Sequence, residues 1–145
     1  MGNGYQWSYD PGEDHPGQPR RKHRWPHAAA GFDDSGVGKC PSDIDRATAE
    51  WILNQRGIPF SDSEETPYPD RIYATYRGVV YVATPTTPAI SYHGFPWRGD
   101  KGPGRMPAHV CRKLHRQAEA DGRGQEFRHW LRVHGGKDGQ RCLKG

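Results

Sequence analysis

The chain has 145 residues, of which 32% are hydrophobic, 19 are Gly and 13 are Pro. An ordinary globular domain is roughly 45–50% apolar with glycine counted, so a packed core is expected in only part of a single domain, and no apolar run approaches the ~20 residues of a membrane span. The net charge of +4 is segregated: residues 98–145 carry twelve Lys and Arg against five Asp and Glu, whereas the preceding 97 residues carry nine against twelve.

Residues 1–36 read as an irregular arm. Pro11-Gly12, Pro16-Gly17 and Pro19 break any periodicity, and Arg20-Arg-Lys-His-Arg24 adds a short basic run. Trp7 and Trp25 argue that parts of the arm pack on something. A helix is predicted from Ser42 to about Gln55, with Ser42 as cap and Asp43 and Asp45 at its positive end. Ile44, Ala47, Trp51 and Ile52 form its apolar side, and Gly57 ends it.

An acidic, proline-bounded loop, Ser61–Pro69, precedes the strand signals. Ile72–Tyr76 and Val79–Thr84 are β-branched and aromatic, joined by a hairpin turn at Arg77-Gly78. A third strand is expected over Ala89–His93, after Pro85-Thr-Thr-Pro88. Two helices follow, from Pro107 to about Ala120 and from Gln125 to His134, and the last residues should fray. The expected fold class is therefore α+β. It combines an antiparallel sheet of about three strands with an N-terminal helix and two C-terminal helices, all on one face. The expected division is an arm over 1–36, one domain over 37–136 and a flexible tail over 137–145.

Function is sought first in Ala89–Arg98, where a phenol (Tyr92), an imidazole (His93), an indole (Trp97) and a guanidinium (Arg98) crowd together. Strand alternation separates Tyr92 from His93, so with Tyr92 inward His93 emerges where a proton can be exchanged near neutral pH. Arg98, Lys101 and Arg105 can present positive charge to a phosphate beside it. The bland reading is a turn in which His93 satisfies a carbonyl while Phe95 and Trp97 plug the core.

Other motifs are weaker. Cys111 and His115 stand i, i+4 on a predicted helix and could grip a metal, but no second close pair completes a site, so no metal and no cofactor are expected. Three scattered cysteines read most simply as reduced thiols, with one disulfide allowed after export. Ser35-Gly-Val-Gly-Lys39 is not a phosphate-binding loop, because Asp33 and Cys40 replace the required glycine and hydroxyl residue.

The hairpin followed by Tyr92-His93-Gly94-Phe95-Pro96 resembles C-terminal modules of bacterial polymorphic toxins, in which a Tyr-His-Gly-aromatic-Pro segment leads into a closing helix. The likeness covers residues 71–134, under half the chain. It implies a nuclease or other nucleic-acid-modifying enzyme neutralised by an acidic immunity protein. The N-terminus lacks an apolar signal region. The chain is therefore expected to be cytoplasmic, or to enter a target cell as part of a longer exported protein.

Together these point to metal-independent cleavage of RNA in preference to DNA, with no membrane partner. His93 would be the acid or base, His109 a second such group, and Tyr92 or Trp97 would position a base. Arg98, Lys101 and Arg105 would hold phosphate, and the strand would cross Arg112, Arg116, Arg128 and Arg132. Two other readings compete: a non-catalytic binder of nucleic acid or an acidic partner through the basic helices, and an interaction module docking through Phe95-Pro96-Trp97.

Overall fold

A computed structural model of the chain describes residues 6–10, 31–32, 38–39, 45–61, 67–99 and 106–144. The fold is α+β, and its main sheet has five strands rather than about three. Strands β4 (Ile58–Phe60), β5 (Arg71–Tyr76), β6 (Val79–Thr87) and β7 (Ser91–Pro96) pair antiparallel. A two-residue β1 (Ser8–Tyr9) lies parallel to β7, giving the order β1-β7-β6-β5-β4. β2 (Gly31–Phe32) and β3 (Gly38–Lys39) form a separate two-stranded ribbon.

The hairpin turn forms where the sequence predicts it. Arg77 and Gly78 have φ of 53° and 81°, the pair of positive angles a tight two-residue turn demands. Glycine is also needed at 78 because a side chain there would run into Glu126. The Pro85–Pro88 stretch, expected to be a connector, instead continues β6 to Thr87 through an irregularity between Pro85 and Thr87. The chain then turns at Ala89, and β7 starts later and ends later than expected. His93 therefore sits within a strand, not at its end.

Helix α1 (Arg46–Trp51) continues as one π-helical turn over Ile52–Arg56. Its cap is Asp45, whose Oδ1 accepts from the Thr48 amide at 2.8 Å and whose carboxyl is thereby held below the usual range. Ser42, the expected cap, lies outside the described residues. Helices α2 (Ala108–Ala120), α3 (Gly124–His134) and α4 (Gly136–Lys144) follow. α4 occupies the stretch expected to be a loose tail.

The helices do not share one face. Ala49 of α1 and Leu53 of the π-turn pack with Tyr9, Ile72, Tyr81, Ala83 and Tyr92 on one side of the sheet. Val110, Leu114, Phe127 and Leu131 pack with Tyr73, Val80, Val82 and Trp97 on the other. Strand alternation thus feeds two cores, each fully buried large side chain contributing roughly 1.5–3 kcal/mol.

Polar locks fix the layers. Asn54, in the π-turn, both accepts from and donates to the Trp7 backbone at 2.9 Å, which docks β1. Gln117 of α2 accepts from the Thr75 amide (2.7 Å) and hydroxyl (2.8 Å) and donates to the Arg56 carbonyl (2.9 Å). Arg56 in turn donates to the Thr75 carbonyl and pairs with Asp121.

Candidate functional site

The hairpin register assembles a row of side chains across the sheet. With Tyr76 opposite Val79 and Ile72 opposite Ala83, the next pair back is Arg71 and Thr84. Phe60 pairs with Arg71 on one side, and Thr84 pairs with His93 on the other. Phe60, Arg71, Thr84 and His93 therefore stand level on β4, β5, β6 and β7. They share the face that carries Tyr73, Val82 and Phe95.

His93 is half-buried at one side of this row. Its Nε2 lies 3.0 Å from the Thr84 hydroxyl and its Nδ1 2.8 Å from the Thr86 hydroxyl, with the Phe95 ring 6.3 Å away. The two hydroxyls fix the ring plane from opposite edges. Thr86 is exposed and Thr84 half-buried, so the Nδ1 partner is the more accessible of the two hydroxyls. In a neutral imidazole one nitrogen donates and the other accepts, and hydroxyls can serve either.

Arg71 is only 2% exposed. Its guanidinium stacks over the Phe60 ring at 4.6 Å and donates to the Tyr73 hydroxyl at 2.7 Å. A buried guanidinium stays charged, so it lends the row a fixed positive potential.

Neither Tyr92 nor Trp97 can touch a substrate here, because both are fully buried. The Tyr92 hydroxyl donates to the Pro69 carbonyl at 2.6 Å. Burial, helped by nearby Tyr68 and Asp70, pushes the phenol up to about 12. Trp97 fills the core between sheet and helices, and its carbonyl accepts from the Trp130 indole at 3.0 Å. Both expected contacts to a nucleobase are thus corrected to structural roles.

His109 is exposed on the first turn of α2, its ring 5.9 Å from Phe60. Phe60 is on β4 and His93 on β7, three inter-strand steps or roughly 14 Å apart. The two histidines do not form the expected acid–base pair. Arg98 is half-buried just after β7, and Lys101 and Arg105 lie outside the described residues.

The helical arginines are partly brought together. Arg112, Arg116 and Arg128 line one groove with His115, while Arg132, exposed on α3, does not line it. Cys111 is bonded to Cys142, which corrects both the reduced-thiol expectation and the Cys111–His115 metal alternative. Among the described residues no three His, Cys, Asp or Glu side chains cluster closely enough to hold a metal ion. Likewise no helix among them is long and apolar enough to cross a membrane.

No family model, curated protein or solved structure matches the chain. Its site therefore rests on geometry alone. Sequence reasoning missed Arg71, Thr84 and Thr86. The signal was available: counting back from the Arg77-Gly78 turn puts Arg71 opposite Thr84 and on the same sheet face as Tyr73 and Thr75.

Proposed function

We propose that the chain is a metal-independent ribonuclease of the toxin kind, acting through His93. The observation that carries this reading is the half-exposed imidazole, oriented by two threonine hydroxyls and level with a buried arginine on one sheet face. His93 takes the proton of a ribose 2′-hydroxyl through Nδ1, displacing the exposed Thr86 hydroxyl as partner. The 2′-oxygen attacks the adjacent phosphorus, and the bond to the 5′-oxygen breaks. The products are a 2′,3′-cyclic phosphate and a 5′-hydroxyl whose proton comes from solvent. The positive potential of Arg71 favours the charge that builds on the phosphate oxygens.

The Cys111–Cys142 bond supports delivery through an oxidising compartment over a purely cytoplasmic life. An acidic immunity protein fits the same reading, because the downstream half of the chain is strongly basic.

The test is incubation with single-stranded RNA and with DNA of the same sequence, with and without chelator. RNA alone should be cut, chelator should make no difference, and the new ends should be cyclic phosphates. His93→Ala should lower the rate about 10²–10⁴-fold while the protein still binds RNA. Intact RNA under every condition, with binding retained, would leave the non-catalytic binder as the correct reading.

A further inference from the structure

On the outer face of the helical layer, α2, α3 and α4 enclose a groove of about 270 Å³. Its rim carries Arg112, His115 and Arg116 from α2 and Arg128 from α3, and its floor is Leu131 with the Cys111–Cys142 bond. Helical periodicity turns Val110, Leu114 and Ala118 toward the sheet and Arg112 and Arg116 away from it.

The charge of this groove is unbalanced within the fold. Glu119 is shared by Arg128 at 2.8 Å and His115 at 3.5 Å. Asp138 is taken by Arg141 and by the Met106 amide. Arg112 and Arg116 have no ion-pair partner among the described residues. They stand i, i+4 on one helix, about 6 Å apart along its axis, where like charges repel. Two full positive charges thus face solvent side by side over an apolar floor. No Trp or Tyr lines the groove, and Phe127 is fully buried, so there is no aromatic platform for stacking bases. A groove of this composition contacts phosphates and ignores base identity.

We infer that it holds the phosphodiester backbone of the RNA strand on one side of the cut, independently of sequence. This deepens the ribonuclease reading and rests on it for the identity of the polyanion. α2 begins beside Phe60, at one end of the row that His93 closes at the other, and Arg112 follows His109 by three residues on that helix.

The experiment measures binding of a non-cleavable 2′-O-methyl RNA homopolymer as a function of salt. The Arg112→Gln/Arg116→Gln double variant should reduce the slope of log affinity against log salt by about 1.4, two phosphate contacts on a single strand. Lys113→Gln, on the same helix but outside the groove, should leave the slope nearly unchanged. Glu119→Gln, which releases Arg128, should strengthen binding at low salt, so the proposal has a gain as well as a loss to meet. Different homopolymers should bind alike. An unchanged slope in the double variant overturns the proposal, as does polyglutamate displacing RNA at equal charge concentration. Wild-type protein that shows the groove effect but never cuts RNA would sink the ribonuclease reading and leave the groove standing. Wild-type protein that cuts RNA with no groove effect would do the reverse.

Discussion

Tyr92 and His93 are adjacent on β7, yet strand alternation sends one into the α1-side core and the other to the opposite face. The difference in environment decides their chemistry. The Tyr92 phenol is enclosed and donates to Pro69, and its titration is pushed up to about 12, whereas an unfolded tyrosine titrates near ~10. The folded state therefore prefers the protonated phenol. That contribution to stability is complete below pH ~10 and is lost as the pH rises toward 12. Tyr92→Phe should remove this dependence and leave the Pro69 carbonyl without its donor, costing about 1 kcal/mol at neutral pH. Denaturant titrations across the alkaline range check it: the stability gap between wild type and variant should shrink above pH ~10. A constant gap would mean that the phenol is not sequestered as described.

At the scale of elements, α2 is fastened to the sheet at both ends by different means. Its first turn lies against Phe60, and its last is bolted through Gln117 to Thr75 and Arg56. Gln117→Leu strands the Thr75 amide and hydroxyl without their acceptor, and should destabilise the fold by about 2–3 kcal/mol. Thr75→Val should cost less in that background than in wild type, since the hydroxyl partner is already gone. Equal losses in the two backgrounds would show the contact to be idle.

This lock could not be read in the sequence, because it joins residues 42 positions apart. The hairpin could, since the Arg77-Gly78 turn and its flanking strands are local signals. β1 has only two residues and exists by pairing with β7, and β4 has three with a proline among them, so neither shows a periodicity. The site was legible to the same degree. His93 announced itself by residue type, but its threonine partners required β6 to run through Pro85, against the turn preference of that stretch. Tyr92 and Trp97 were misjudged because an aromatic with a polar tip looks the same in sequence whether it faces a ligand or a core.

For the molecule as a whole, the sheet separates two cores, and the basic residues gather on the layer built by α2, α3 and α4. The weakest part of that layer is α4. Its nine residues include Gly136 and Gly139, and a helix this short is marginal in isolation. Gly139 is required because any side chain there would strike the Leu131 carbonyl, so close is the approach of α4 to α3. What keeps α4 in place is this packing together with the Cys111–Cys142 bond, whose ends are 31 residues apart. Closing a loop of that length restricts the unfolded chain by roughly 3–4 kcal/mol. Cys142→Ser, or reductant on the wild type, should therefore lower the melting temperature by roughly 10 °C. Amide exchange should accelerate first in α4 and at the groove floor, while α2 and the sheet keep their protection. The comparison is made in a Cys40→Ser background so that no third thiol can exchange. Should reductant leave both the melting temperature and the protection of α4 unchanged, the tether would contribute nothing, and α4 would be held by packing on α3 alone.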